Sequence, residues 1–447
     1  MSQTRLFAKI AILFVMTVMF TVPFLTIGAI LGERKGYRDR VVREVGESTA
    51  GAQTLVGPVL VVPYRERVVS RSTDSRTGKV TIEETIVAGQ ALVLPESLAI
   101  ASDVRVESRN RGIYEARILH SDLRLAGEFE LVPRFGVSAE HDVVAWEPAF
   151  LVVGVSDTRG LRRVPVVSWG GAARASAPGS RLDWLKPGFA VDLGRLTPSA
   201  SSRTPFTIDL TMIGTQELKL VPVGKDTRVS MKSSWPHPSF SGRFLPDERT
   251  VSSQGFEASW RLSRFATNIE DAIAARRGGD DAGLGAATFG VAFLEPVDVY
   301  RQSERAIKYG LLFVVLTFVA FFTFEVLKRL ALHPVQYGLV GAALAIFFLL
   351  LISVSEHLPF AVAYAISSAA CVTLIGYYVA HVLRSALVGA ALAGAIALLY
   401  GLMYVVLLSE DYALLLGSLV LFGVLALIMV VTRRVDWNRL GEQQPTS

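Results

Sequence analysis

The stretch Trp235-Pro236-His237-Pro238-Ser239-Phe240-Ser241-Gly242-Arg243-Phe244-Leu245-Pro246 is the most unusual text in the chain. A histidine between two prolines sits on a restricted backbone. Two serines and Asp247 follow it within ten residues. His237 as general base, Ser239 or Ser241 as nucleophile and Asp247 as orienter would make a hydrolase of this segment. The plainer reading is a rigid connection whose aromatics pack on a sheet, because hydroxyls and carboxylates fall near a histidine by chance. The plainer reading is preferred, so no enzyme activity, catalytic residue or cofactor is expected.

Other catalytic texts are missing. The sequence has no G-x-x-x-x-G-K-[ST], H-E-x-x-H or G-x-S-x-G segment. The six histidines are His120, His141, His237, His333, His357 and His381, and none lies three to five residues from another His or from Cys371, so no metal-ligand spacing is visible. That single cysteine excludes an intrachain disulfide. The net charge is +5, yet Arg and Lys are scattered without aromatic interleaving, which argues against nucleic-acid binding.

Elements able to hold such residues fall into two kinds. The first is lipid-spanning. Uninterrupted apolar runs occupy residues 10–31, 309–327, 335–354, 360–380, 386–408 and 412–431. Each is near the roughly 20 residues that cross a hydrocarbon core. The first run is longer than a cleavable signal core and ends without a small-x-small site, so it reads as a signal anchor. Glu325 is the one acid well inside a run, and Lys328 or Arg329 at helical spacing would pair with it. Ala390 with Gly394, and Ala393 with Ala397, are small-xxx-small pairs suited to close helix packing. A transporter would keep more intramembrane charge than this.

Orientation follows from the short loops. Lys328, Arg329, Arg384, Arg433, Arg434 and Arg439 alternate with Glu356, Glu410 and Asp411. The positive side is expected to be cytoplasmic. Arg34, Lys35, Arg38, Arg40, Arg43, Arg301, Arg305 and Lys308 oppose that assignment, but long translocated domains cross largely regardless of charge.

The second kind is β. Phe206, Ile208, Leu210 and Met212 alternate with polar residues, as do Phe256, Ala258, Trp260 and Leu262, and Tyr114, Ala116 and Ile118 after the turn Asn110-Arg111-Gly112. Period two with one polar face predicts half-buried antiparallel strands in a sandwich or strongly bent sheet. Residues 33–50 read as a separate amphipathic helix, 172–179 as a linker and 276–283 as a loop.

Several segments in order resemble the CreD family of bacterial inner-membrane proteins. They are Glu33-Arg34 with Tyr37, Gln53, Gly57-Pro58, Pro63-Tyr64, the Trp235–Pro246 text, Gln254-Gly255-Phe256 with Trp260, Gly290-Val291, Pro296-Val297-Asp298 with Tyr300, His333-Pro334 with Gln336-Tyr337, Ser355-Glu356-His357, Ser409-Glu410-Asp411, and Thr432 to Trp437. The resemblance implies a periplasmic domain, a part in cell-envelope integrity and stress response, colicin tolerance, and regulation by a two-component system with a β-lactam response. It brings no catalytic residues. Trp235, Pro236, His237, Pro238, Phe240, Glu356, His357, Glu410 and Asp411 are carried as motif positions without an assigned role.

The expected architecture is therefore a polytopic α-helical membrane protein with six transmembrane helices. A large, mainly antiparallel β periplasmic domain is inserted between helices 1 and 2. The expected division is a cytoplasmic tail 1–9, an anchor helix 10–31, a periplasmic domain 32–305, a five-helix bundle 306–432 and a cytoplasmic tail 433–447. The expected function is a non-enzymatic envelope protein of the inner membrane whose partners are membrane lipids and another envelope protein or lipid. The alternative is a transporter or lipid-handling protein.

Overall fold

The computed structural model describes residues 3–73, 80–197, 200–277, 284–285, 287–293, 299–328, 333–409 and 412–433. It divides into two compact units, Arg40–Pro296 and Met1–Asp39 with Val297–Ser447.

The unit 40–296 is built from strands. In chain order they are β1 (Gln53–Thr73), β2 (Val80–Val93), β3 (Ser97–Arg111), β4 (Tyr114–Leu131), β5 (Asp142–Trp146), β6 (Ala149–Val155), β7 (Val166–Trp169), β8 (Ala172–Arg174), β9 (Ser176–Pro178), β10 (Gly188–Gly194), β11 (Ser202–Thr215), β12 (Glu217–Val221), β13 (Asp226–Ser233), β14 (Pro238–Gly242), β15 (Glu248–Ser252), β16 (Gly255–Ser263) and β17 (Phe289–Phe293). One sheet runs β14-β17-β12-β1-β6-β10-β9, with β2 and β5 also on β1; the other runs β15-β16-β13-β3-β4-β11-β7-β8. Their apolar faces close on one core that includes Val59, Leu125, Phe206, Trp260 and Phe289. Burying such faces against each other is what makes a two-layer β unit stable.

Alternation works as read from the sequence. In β16, Phe256, Ala258, Trp260 and Leu262 are buried, while Glu257 and Arg261 are exposed. β6, flanked by β1 and β10, is buried at all seven positions, so both of its faces are covered. The sheets are mainly antiparallel, as expected, with two parallel pairings, β12 on β1 and β13 on β3. One expectation is corrected. The segment 172–179 is no linker: β8 joins one sheet and β9 the other, over a shared core. Two short helices, α2 (Arg264–Thr267) and α3 (Ile269–Arg277), follow β16; residues 278–283 of the expected loop lie outside the described residues.

The other unit is helical. α1 spans Gln3–Ser48 without a break, so the expected anchor and the expected amphipathic helix after it are one element. The later helices are α4 (Val299–Lys328), α5 (Pro334–Ser355), α6 (Phe360–Val382), α7 (Ala386–Leu408) and α8 (Ala413–Thr432). Among the described residues five helices are long and apolar enough to cross a membrane: Phe7–Ser48, Val299–Val326, Pro334–Ser355, Phe360–Val382 and Ala386–Leu408. Leu415–Val430 is a shorter apolar stretch.

Local signals fix the helix ends. His333 caps α5 through Nδ1, which accepts from the Val335 amide at 3.3 Å; the Gln336 side chain accepts from the His333 amide at 3.0 Å, and Pro334 opens the helix. Rings fill the interior. Phe313 and Phe347 stand 4.5 and 4.6 Å from Tyr400, and Phe24 lies 5.2 Å from Phe348. A close seam of small residues runs between α6 and α7. A Cβ on Gly376 would meet that of Ala393 at 2.8 Å, and one on Gly389 would meet Ala380 backbone. Two small-xxx-small faces therefore oppose each other, Gly376 and Ala380 against Ala393 and Gly389. Of the residues expected to pack closely, Ala393 lies in this seam, whereas Gly394 has open space around it.

Candidate functional site

The Trp235–Pro246 text leaves β13, forms β14 and leads toward β15. Its aromatics enter the core: Phe240 packs edge-on against Phe256 at 5.8 Å and Trp260 at 6.0 Å, and the Trp260 indole donates to the Phe244 carbonyl at 3.3 Å. Trp235 lies beneath the Arg117 guanidinium at 4.6 Å. His237 is exposed, with its ring 6.1 Å from that of Trp235. The nucleophilic arrangement is not assembled. Ser241 Oγ donates to Glu217 at 2.9 Å, and Asp247 accepts the Arg261 amide at 2.6 Å. Among the described residues no hydrogen bond joins His237 to Ser239, Ser241 or Asp247. Pro236 and Pro238 flank the chain's entry into the edge strand β14, where prolines are tolerated.

In the helical unit, Glu356 accepts the Tyr300 hydroxyl at 3.4 Å and stands 3.8 Å from Arg34, its side chain 9% exposed. The three motif segments around Arg34, Tyr300 and Glu356 thus converge. His357 is exposed beside them in sequence. Glu410 and Asp411 lie outside the described residues. Glu325 is 2% exposed and binds Lys9 and the Tyr337 hydroxyl, the latter at 2.7 Å. The partners expected for it, Lys328 and Arg329, fall where side chains are not described, and the cation that reaches it comes from α1.

A concave surface lies elsewhere, on the outer face of the eight-stranded sheet. Register places Glu248, Ser259, Ser230, Ala101, Arg124 and Asp209 in one row across β15, β16, β13, β3, β4 and β11. The next row is Thr250, Glu257, Lys232, Asp103, Asp122 and Thr211. Small side chains at Ala101, Ser230 and Ser259 lower the floor, and the longer neighbours form walls. The result is a trough of about 740 Å³, bounded at the β11 side by Arg163 and Val164. Side chains there hold one another in place. Lys232 pairs with Asp103 at 3.0 Å, Arg124 with Asp209 at 3.7 Å, and Asp122 with Arg105 at 3.1 Å and the Thr211 hydroxyl at 2.9 Å.

Such a surface offers hydroxyls and both signs of charge to a ligand, without a nucleophile–base pair. No cluster of three metal-ligating side chains occurs among the described residues. The motifs in the sequence do not mark this trough. The signal available was the run of small residues on polar faces, Ala99 and Ala101 in β3 and Ser259 in β16, where long charged side chains are the usual solvent-facing choice.

Comparison with known proteins gives a clear result. The family model described as "Inner membrane protein CreD" matches residues 5–438. The "Inner membrane protein CreD" of Escherichia coli (strain K12) is 36% identical over 443 residues, covering 98% of this chain and 95% of that one. Among solved structures, an M1 zinc metallopeptidase from Deinococcus radiodurans aligns over 38% of each chain at 10% identity with a TM-score of 0.18. A mutant form of an M1 enzyme from that organism gives 11%, 38% of each chain and 0.19. Likenesses this faint carry no argument about fold or chemistry.

Proposed function

The chain belongs to the CreD family of inner membrane proteins, and from that premise we propose that it is a non-enzymatic envelope protein whose β-rich unit binds an envelope component in the trough of its eight-stranded sheet. The trough is the observation that carries the reading. Ligand sites are concave and commonly of about 300–1,000 Å³; this one, at about 740 Å³, falls in that range, with a lining more charged than is usual for small-molecule pockets.

The topology proposed with it has six spans, both termini cytoplasmic, and residues 32–305 periplasmic. Four candidate helices after the β-rich unit, and the apolar stretch Leu415–Val430, support five later spans. The acidic Glu356 loop and the basic Arg384 turn support the orientation. The helical bundle serves as an anchor. Aromatic packing around Tyr400 supports anchoring over transport, as do cavities of only about 10 and 40 Å³ lined mainly by apolar side chains. A role in envelope integrity under stress, including colicin tolerance, belongs to the same proposal, as do membrane lipids and an envelope protein or lipid as partners.

The test has two parts. A reporter fused near residue 200 is expected to be active only in the periplasm; cytosolic activity sinks the topology. Full-length protein in nanodiscs is expected to retain envelope material that the folded variant Ser230→Trp, which fills the trough floor, does not. Equal retention by both sinks the binding role of the trough.

A further inference from the structure

The trough is electrically asymmetric along its length. Most of its charges are matched in pairs: Lys232 with Asp103, Arg124 with Asp209, Arg105 with Asp122. Besides Arg249, three lining charges stand outside these pairs. Glu248 and Glu257 lie at the β15–β16 end, and Arg163 lies at the other end, where Leu161 bridges to Met212 of β11. Among the described residues, none of the three has an ion-pair partner. Arg249, also at the acidic end, stands over the Phe240 ring at 5.8 Å. The free charges therefore define a direction, negative at one end and positive at the other.

Length gives a second constraint. From β16 to β11 there are four inter-strand steps, and at about 4.8 Å each this spans about 19 Å. An extended chain advances about 3.3 Å per residue, so about six residues cover the distance. Between the charged ends, the Ser230, Ser259, Thr211 and Thr250 hydroxyls face the trough, over the small floor at Ala101. A backbone can approach such a floor closely, and hydroxyls serve amide N–H and C=O groups alike.

We infer that the trough receives a short extended peptide with both termini free, its ammonium between Glu248 and Glu257 and its carboxylate on Arg163. This rests on the trough being the binding surface, as proposed above. Other chemistries fit worse. No aromatic ring lines the trough to stack on a sugar or base. A polyanion would meet Glu248 and Glu257. An acyl chain would leave the paired charges desolvated.

The experiment uses the full-length protein in nanodiscs and a random hexapeptide library with free termini, read by affinity selection and mass spectrometry. Peptides are expected to be retained by the wild type. Retention should fall about tenfold, equivalent to about 1.4 kcal/mol, on N-acetylation or in the Glu248→Gln/Glu257→Gln variant. C-terminal amidation or Arg163→Gln should produce the same fall. Combining N-acetylation with the acidic double variant should add little, because both remove one contact. All these substitutions are on exposed positions, and equal unfolding temperatures confirm equal folding. Absence of retention, or retention indifferent to capping and to these variants, overturns the inference. If peptides fail while envelope material is still captured by wild type and lost in Ser230→Trp, the peptide assignment falls and the binding role of the trough stands. If that capture is also indifferent to Ser230→Trp, both fall.

Discussion

The ammonium of Lys9 on α1 meets the carboxylate of Glu325 on α4, and the Tyr337 hydroxyl of α5 donates to the same carboxylate. Three helices are joined at one buried charge. Removing a single member of such a pair strands the other, at a cost of about 3–5 kcal/mol, whereas replacing both by apolar groups is often neutral. Lys9→Met is therefore expected to lower the unfolding temperature in detergent sharply. Lys9→Met with Glu325→Leu and Tyr337→Phe should recover most of it. A triple variant as unstable as the single one would show that the pair is not what orders these helices.

The seam between α6 and α7 makes a steric prediction. At Gly389 a side chain would enter Ala380 backbone, while Gly394, five residues along and on another face of the helix, has open space. Gly389→Val is expected to cost about 1–3 kcal/mol through overpacking. Gly394→Val should stay within about 0.5 kcal/mol, as surface changes usually do. Thermal unfolding in nanodiscs reads both, and equal effects would contradict the packing described.

His237 and Trp260 separate the two readings of the proline-rich text. Trp260 is 2% exposed and touches Phe240 and Phe289. Trp260→Ala should destabilise the β-rich unit by about 3–5 kcal/mol. His237→Ala should leave stability within about 0.5 kcal/mol and leave cells with an intact envelope. An envelope defect from His237→Ala in stable, abundant protein would revive a chemical role for the imidazole.

Acid sensitivity is expected at Asp157. Its carboxylate accepts from the Arg159 guanidinium at 2.6 Å and from the Arg159 amide at 2.9 Å, and these bonds hold its carboxyl below the usual carboxylate range. A depressed folded-state pKa adds stability that is complete above the unfolded value of about 3.9 and disappears as pH falls through the folded value. Asp157→Asn keeps the cap but loses the ion pair with Arg159, and should thus cost about 0.2–1 kcal/mol at neutral pH. The difference should close in acid. Denaturation followed from pH 7 down through the unfolded value checks this, and a gap that does not narrow below about pH 3.9 would assign the effect to something other than charge.

Much of the architecture was legible because lipid and sheet each impose a simple pattern. Long apolar runs and strict alternation, as in β16, follow from one chain segment alone. What depended on rotation or on distant neighbours was not legible. The α6–α7 seam uses Gly389 and Ala393, not Ala390 and Gly394, because one residue turns a helix face by about 100° and the sequence does not say which face meets a neighbour. Lys9 is 316 residues from Glu325, so the nearer Lys328 and Arg329 were the natural partners to name. The trough floor needs Ala101, Ser230 and Ser259 side by side, and only the parallel pairing of β3 with β13 brings the first two together.

That parallel pairing, and its counterpart between β1 and β12, set the order in which the molecule can mature. β1 and β3 pair with the next strand in the chain, β2 and β4, but β12 and β13 come much later. Until residues 217–233 emerge, the second edge of β3 along Ser97–Val104 and the start of β1 at Gln53–Val56 keep amide and carbonyl groups open to any passing strand, which is the usual route to aggregation. Pairing across so much intervening chain is also slow. A nascent chain halted between β11 and β12 is therefore the species most in need of a chaperone, and shortening the protein at that point should yield inclusion bodies instead of a smaller soluble domain.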